Sequence, residues 1–185
     1  MTAGRRRRRR SPAWIPAPPL QDAFAATGPA PGLADQLGLF GQFVGSWDLE
    51  VTDIAPDGTA TTTAGEWHFG WALGGRAVAD VWVCPRRTPD GFSPGEHGLS
   101  LRFYDDALGA WRSTWLGPGR QVVRQFVARP AGDGIVLSGS FDDGDLQWTF
   151  SDITPSAFRW RNEMSLDGGR TWRVQQTFAA RRAAS

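Results

Sequence analysis

The sequence is poor in the residues that form disulfides, bind metals or cross membranes. Its 185 residues include one cysteine, Cys84, which excludes an internal disulfide, and two histidines, His68 and His97, which leave little for a metal site. No apolar run approaches the length of a transmembrane helix, so we expect no membrane partner. Lysine is absent, and the exclusive use of arginine for basic residues is typical of a GC-rich bacterial genome.

The motifs that usually accompany cofactors are also missing. The sequence has no P-loop, dinucleotide-binding fingerprint, Cys-x-x-Cys pair or nucleophile elbow. Chemistry that depends on a cofactor usually leaves such a mark. The sequence therefore predicts neither a cofactor nor a metal.

The basic residues are concentrated at the start of the chain. Six of the 20 arginines lie at 5–10, in an Arg-, Pro- and Ala-rich leader over residues 1–32 that we expect to be disordered. The remaining 14 arginines face 19 acidic residues, so no specific nucleic-acid groove is expected, although the leader itself could bind polyanions non-specifically. Proline interrupts residues 11–19, where a secretion signal needs an apolar stretch. We predict a cytoplasmic protein with a single domain at 33–182.

Short runs of alternating apolar and polar residues fill that domain. With 23 glycines and 13 prolines, the composition favours a turn-rich all-β chain. Leu33, Leu37, Phe40 and Val44 predict a short helix that closes one end. The strands are predicted near 46–54, 62–72, 76–84, 98–104, 111–116, 121–128, 134–140, 145–153, 157–164 and 172–180. Tight turns between them indicate an antiparallel up-and-down β-barrel of about ten strands, since closure removes the exposed sheet edges.

The turns also predict which side chains face inwards. Nine of the ten tryptophans lie in the strand runs, and only Trp14 lies in the leader. A two-residue turn at Gly74-Gly75 and short turns at 154–156 and 167–169 set three registers that agree on one apolar face. The predicted pairs are Trp67–Trp82, Phe69–Asp80 and Trp71–Val78, then Trp148–Asn162 and Phe150–Trp160, then Asn162–Val174, Trp160–Gln176, Phe158–Phe178 and Met164–Trp172. They leave Glu66, His68, Glu163, Arg173 and Gln175 outside.

The inner face of the middle strands, 98–128, is open between two sets. The turn at 105–109 pairs Arg102 with Ser113 and Ser100 with Trp115. We favour Arg102, Tyr104 and Trp115 as the interior set over Leu99, Leu101 and Phe103. Arg124 is a further interior candidate.

The residues at the start of the first long strand resemble a motif of a known group of barrels. Gly45-Ser46-Trp47 after a short helix resembles the Gly-x-Trp opening of lipocalins and the wider calycin group. In those barrels the tryptophan packs across the closed end, often beneath an arginine of the last strand, which implies this role for Arg173, Arg181 or Arg182. Four segments, at 43–47, 73–76, 103–105 and 111–115, make residues 36–180 similar to the bacterial, lipocalin-like domain of unknown function 1579. The resemblance implies a ligand-holding β-barrel and supplies no activity.

Two other resemblances carry less information about function. The strand number is similar to that of fatty-acid-binding proteins and nitrobindins, but nitrobindins hold haem through a histidine near the end of the chain, where this sequence has none. Residues 165–172 are similar to the Asp-box of sialidases. Because the box occurs once, we interpret it as turn chemistry in which Asp167 caps backbone N–H groups.

Asp80 is the most informative ionisable residue. The hairpin register places it among tryptophan and phenylalanine rings, where desolvation is expected to raise the pKa of its carboxyl group. Such a group can act as a general acid or base. The alternative is that Asp80 accepts a hydrogen bond from an indole N–H or pairs with an interior arginine, for which Arg102 is the candidate.

Three hypotheses of function follow. The first is a barrel, monomeric or homodimeric, that binds a small apolar or aromatic molecule in a Trp-lined cavity. The second is a cofactor-independent cyclase or isomerase of secondary metabolism, in which Asp80 moves a proton and Arg102 or Tyr104 stabilises an oxyanion. The third is a structural or partner-binding barrel whose interior is fully packed. The predicted ligand-binding residues are Trp67, Phe69, Trp71, Asp80, Trp82, Arg102, Tyr104, Trp115, Arg124, Trp148, Trp160, Asn162 and Gln176.

Overall fold

Antiparallel strands joined by short turns dominate the computed structural model, which describes residues 19–89 and 94–184. Two short helices, α1 and α2, precede the long strands, and no helix in these two ranges is long and apolar enough to cross a membrane. In chain order the elements are α1 (Leu20–Phe24), β1 (Ala25–Ala26), α2 (Ala34–Gly41), β2 (Gly45–Ile54), β3 (Ala60–Ala72), β4 (Ala77–Cys84), β5 (Glu96–Asp105), β6 (Ala110–Gly117), β7 (Val122–Ala131), β8 (Gly134–Phe141), β9 (Gly144–Ser151), β10 (Ala157–Ser165) and β11 (Arg173–Arg182).

The ten long strands close into an up-and-down barrel. Each of β2–β11 pairs antiparallel with its neighbours in sequence, and β11 pairs with β2 to complete the ring. The short strand β1 lies outside the ring, beside the end of β3. The predicted all-β barrel of about ten strands with a short helix at one end is confirmed. Its physical basis is the alternation of apolar and polar residues together with the closure of the ring, which leaves no free edge between the ten long strands.

Most of the predicted registers are also confirmed. Trp67 pairs with Trp82 and Phe69 with Asp80 across the β3–β4 turn, and Arg102 pairs with Ser113 across the β5–β6 turn. Asn162 pairs with Trp148, as the turn at 154–156 predicts. A turn of two or three residues with defined chemistry leaves little freedom in the pairing of the strands that it joins.

The register predicted between β10 and β11 is wrong by two residues as far as Asn162 and by one residue at Met164, which pairs with Arg173. Asn162 pairs with Gln176 rather than Val174, and the ladder shifts at a bulge after Asn162. The turn is longer than predicted because the Asp167 carboxylate accepts hydrogen bonds from the backbone N–H groups of Arg170 (3.0 Å) and Thr171 (2.9 Å). Trp172 therefore remains in the turn with its side chain partly exposed, and does not face Met164 inside the barrel.

The predicted leader falls partly within the described ranges. Residues 1–18, with Trp14 and the arginine run, lie outside the described residues. Residues 20–26 form α1 and β1, and the N–H of Ala30 donates to the carbonyl of Gly75 at 2.8 Å. The boundary between leader and domain at residue 32 stays a prediction.

One end of the barrel is sealed by α2 and by the first and last long strands. Leu37 and Phe40 of α2 are fully buried against the aromatic core. The Trp47 indole N–H donates to the carbonyl of Phe43 at 2.7 Å, and the Arg182 guanidinium lies 4.2 Å above the Trp47 ring. Of the three arginines that the Gly-x-Trp resemblance implied, Arg182 occupies this position.

Candidate functional site

The interior of the barrel has a packed closed half and a hollow open half. The centres of water molecules can occupy about 60 Å³ of the hollow. The space around them that contains no protein atoms, including the opening to solvent, is about 440 Å³. A single water needs roughly 10–15 Å³ of the volume open to water centres, so the hollow has room for several waters or for part of a larger ligand. The cavity is lined by Trp67, Trp82, Ser100, Trp115, Arg120, Trp148, Trp160, Asn162, Gln176 and Phe178.

Stacked aromatic rings form the walls of this cavity. Phe178 lies between the indoles of Trp160 and Trp82, with ring centroids 4.3 Å and 5.7 Å away and planes nearly parallel. Trp148 meets Trp160 edge to face at 5.4 Å. Opposite Trp82 in the ladder stands Gly98, where an added Cβ would fall 1.7 Å from the Trp115 ring. The missing side chain at Gly98 therefore lets the Trp115 ring lie flat on the wall.

Two amide side chains in the cavity are held in fixed orientations. The Asn162 oxygen accepts from the Trp148 indole at 3.1 Å, and its amide nitrogen donates to Gln175 at 3.0 Å. The Gln176 amide nitrogen donates to the Asp53 carboxylate at 2.5 Å. Gln175 was predicted to face outwards, but at the bulge two residues of β11 oppose Asn162, so Gln175 reaches it. The amides thus satisfy each other and their neighbours.

Two buried indole groups have no such partner. The side-chain nitrogens of Trp82 and Trp160 make no hydrogen bond, although each residue is only 5% exposed. An unpaired buried N–H costs roughly 1–3 kcal/mol, so buried indoles usually find an acceptor. Both residues line the cavity, which is therefore supplied with hydrogen-bond donors.

Asp80 and Arg102 form a fully buried ion pair that does not line the cavity. Arg102 donates to one Asp80 oxygen and also to Ser100 Oγ at 3.1 Å, while the Trp67 indole donates to the other Asp80 oxygen at 2.6 Å. Both partners anticipated for Asp80, an indole and an interior arginine, are present. Burial lowers the pKa of the Arg102 guanidinium to about 9, which leaves it charged at neutral pH beside its carboxylate.

Four further predicted ligand residues lie away from the cavity lining. Phe69 packs on Phe43 (5.5 Å between centroids) in the closed half, and Trp71 lies against Gly41 of α2. Tyr104 meets Trp111 at 6.3 Å. Arg124 pairs with Asp143 and covers the Phe141 ring. Thus the structure brings together seven of the predicted residues at the cavity: Trp67, Trp82, Trp115, Trp148, Trp160, Asn162 and Gln176.

Sequence reasoning missed three residues of the cavity lining. Phe178 was placed on the inner face but not in the ligand set, and Ser100 was not favoured as a contact. Arg120 belongs to the β6–β7 turn, whose backbone is held by the buried Glu96 carboxylate through the N–H groups of Gly119 (2.9 Å) and Arg120 (3.0 Å). A long-range carboxylate that organises a turn leaves no local signal in the sequence.

The comparisons with known proteins support the fold. No family model matches the chain, and no curated protein matches it in sequence. Among solved structures it is similar to Rv2717c from M. tuberculosis, with 14% identity, a TM-score of 0.55 and coverage of 84% of this chain and 99% of that one. It is also similar to the S-type phycobiliprotein lyase CPES from Guillardia theta, with 11% identity, a TM-score of 0.51 and coverage of 80% and 92%. The chain therefore has a lipocalin-like, calycin-type barrel fold.

No group of three or more histidine, cysteine, aspartate or glutamate side chains suited to a metal ion occurs within residues 19–89 and 94–184. Burial raises the pKa of the Cys84 thiol to about 11, so this thiol is protonated at neutral pH and a poor metal ligand.

Proposed function

We propose that the barrel binds a small apolar or aromatic molecule that carries oxygen acceptors, in the cavity of its open half. The observation that carries this proposal is the pair of unpaired indole N–H groups of Trp82 and Trp160, both buried and both on the cavity wall. A ligand carbonyl, carboxylate or phenol oxygen would accept from them. Apolar walls with a few fixed polar groups are typical of small-molecule sites.

The charges and donors of the cavity narrow the chemistry of the ligand. Both polar atoms of the Asn162 amide and the amide nitrogen of Gln176 are already engaged, whereas Ser100 accepts from Arg102 and keeps its own hydroxyl proton free to donate. The groups left for a ligand are therefore mainly donors. The phycobiliprotein lyase neighbour is 11% identical and supports the barrel fold alone.

The alternative, a cofactor-independent cyclase or isomerase, receives no support from the site. Its proton-transfer residue would be Asp80, which lies completely buried beneath the cavity and is bonded to Trp67 and Arg102. A general acid or base must reach the proton that it moves. Binding without turnover is the reading that this geometry favours.

The test uses two probes of similar size, 2-acetylnaphthalene and 2-isopropylnaphthalene, in the second of which a methyl group stands in place of the carbonyl oxygen. Equilibrium dialysis of the full chain should give saturable binding and a lower Kd for the acetyl compound. Trp160→Phe keeps an aromatic wall but removes one donor, so it should weaken binding of the acetyl probe by about 2- to 12-fold, the worth of one hydrogen bond. The isopropyl probe should change much less.

Trp172→Phe is the matched control, because Trp172 is exposed in the β10–β11 turn and its indole donates to Gly169. It should leave both dissociation constants unchanged. Saturable binding of neither probe, or an equal effect of Trp160→Phe on both, would overturn the proposal. The cytoplasmic location and the monomeric or homodimeric state remain proposals from the sequence.

A further inference from the structure

A serine, a histidine and a glutamate form a chain of hydrogen bonds on the outer surface of the barrel. Ser46 of β2 and His68 of β3 are opposite each other in the ladder, and Ser46 Oγ lies 2.9 Å from His68 Nδ1. Two residues earlier on the same face of β3, Glu66 Oε2 lies 3.0 Å from His68 Nε2. The register of the β3–β4 hairpin predicts that Glu66 and His68 lie outside the barrel, but the sequence indicates no role for them.

The loop after β4 holds Glu66 in place as a carboxylate. Arg87 donates to it from its backbone N–H (2.8 Å) and from its guanidinium (2.8 Å), and Arg86 approaches within 3.9 Å. These contacts, with the hydrogen bond from His68, lower the pKa of Glu66 to about 2. The Glu66 side chain is only 7% exposed although it lies on the outer face.

This environment favours one tautomer of the His68 ring. Glu66 is an ionised carboxylate and can only accept, so at 3.0 Å it favours the tautomer in which Nε2 of His68 carries the proton, against the longer 3.3 Å approach of the Arg87 guanidinium to the same nitrogen. In the neutral ring Nδ1 then holds the lone pair and accepts the hydroxyl proton of Ser46. A hydroxyl bonded to a histidine that is in turn oriented by a carboxylate is the arrangement that activates a serine nucleophile.

An apolar groove of about 270 Å³ begins at His68. It is lined by Phe24 and Ala25 on one side and by Val81 and Leu99 on the other, with Gly70 at its floor. Gly70 follows His68 by two residues, so both lie on the same face of β3. An added Cβ at Gly70 would meet no atom within 4 Å, so the groove has free space there. The size and apolar lining of the groove suit a short aliphatic chain bound beside the histidine.

The geometry points to a second site, independent of the barrel cavity, at which Ser46 is the nucleophile in the hydrolysis of short-chain carboxylic esters. Ser46 Oγ attacks the carbonyl carbon and its proton passes to His68 Nδ1. The ester C–O bond breaks, the leaving oxygen takes that proton, and an acyl-Ser46 ester remains. Water, deprotonated by the same nitrogen, then attacks the acyl carbon, releasing the carboxylic acid and restoring the serine. Glu66 stabilises the transient imidazolium.

Covalent labelling tests the nucleophile directly. The full chain is treated with a fluorophosphonate probe, and the modified peptide is identified by mass spectrometry. We expect the label on Ser46 and its loss in Ser46→Ala. His68→Gln removes the base and should slow labelling at least about 100-fold. Ser138→Ala, at another exposed strand serine, should leave the rate unchanged and serves as the control.

Hydrolysis of p-nitrophenyl esters tests the groove. Gly70→Val places its Cβ in free space and suits a strand, so the fold should be preserved, as circular dichroism and urea unfolding will show. It should lower kcat/KM for the butyrate ester at least 10-fold while the acetate ester changes less than 2-fold. A label on another residue, labelling that persists in Ser46→Ala, or equal effects of Gly70→Val on both esters would overturn the proposal.

Discussion

At the scale of single residues, the ion pair between Asp80 and Arg102 is the most demanding feature of the interior. Both side chains are fully removed from water, and the pair is completed by Trp67 and Ser100. Removing one charge from a buried pair leaves the other uncompensated, which costs about 3–5 kcal/mol. We therefore expect Asp80→Asn to lower the free energy of unfolding by about that amount, measured by urea denaturation.

A double variant separates charge from packing. Asp80→Leu combined with Arg102→Met removes both charges and keeps the volume close to the original, so part of the lost stability should return, less about 1–3 kcal/mol for the Trp67 indole that loses its acceptor. Should Asp80→Asn unfold at the same urea concentration as the unaltered chain, the pair would not stabilise the fold.

Glu66 makes the stability of the fold depend on pH. Its pKa is about 2 in the folded state against 4.5 in a model compound, so its contribution to stability is complete above about pH 4.5 and is lost as the pH falls towards 2. The contribution is about 2 kcal/mol, after a reduction for solvent around the half-exposed Arg87. Urea midpoints from pH 5 to pH 2 should fall less steeply for Glu66→Gln than for the unaltered chain. Parallel curves would contradict this.

At the scale of elements, the turn between β3 and β4 positions the segment that precedes α2. Gly74 and Gly75 both have positive φ (64° and 76°), but their surroundings differ. A Cβ at Gly75 would fall 2.3 Å from the carbonyl oxygen of Gly28, whereas a Cβ at Gly74 would meet only the end of the Arg76 side chain at 3.5 Å. One turn thus contains both a test position and its control.

Replacing each glycine with alanine should separate strain from contact. Gly74→Ala should lower the free energy of unfolding by about 1–2 kcal/mol, because alanine must adopt the left-handed backbone conformation there and meets no other obstacle. Gly75→Ala should cost more and should speed hydrogen exchange at the Ala30 amide, which donates to the Gly75 carbonyl. If both variants exchange at the rate of the unaltered chain, the segment is held by other contacts.

The hairpins show how far the sequence predicts the fold. Where a turn has two or three residues, its chemistry fixes the pairing, and the partners of Trp67, Phe69 and Trp148 follow. Between β10 and β11 the side chain of Asp167 builds a wider turn, and the bulge at Gln175 shifts the ladder.

The candidate site is predicted less well, because the alternation of a strand tells which face a residue occupies but not its depth along the barrel. Asp80 and Trp160 share the inner face, yet one lies below the cavity and the other on its wall.

At the scale of the whole molecule, Arg182 links segments that are far apart in the chain. It donates to the backbone carbonyls of Pro155 (2.7 Å), Val44 (2.9 Å) and Gln42 (3.2 Å) while it covers the Trp47 ring. Arg182→Met keeps an apolar cover over the indole but loses these bonds. We expect a loss of about 2 kcal/mol in urea unfolding. Arg181→Met, at the neighbouring exposed position, is the control and should change stability by less than about 0.5 kcal/mol. Equal losses would assign the effect to charge alone.

The closure of the ring has a consequence for synthesis. Every neighbouring pair of long strands is also consecutive in sequence except β11 and β2, and Arg182 bonds to a carbonyl 138 residues earlier. As the ribosome makes the chain, β2 emerges early and must wait with one edge unpaired until the final strand leaves the exit tunnel. Throughout that interval its backbone offers a template to other nascent chains. The yield of the closed barrel should therefore fall as the concentration of such incomplete chains rises.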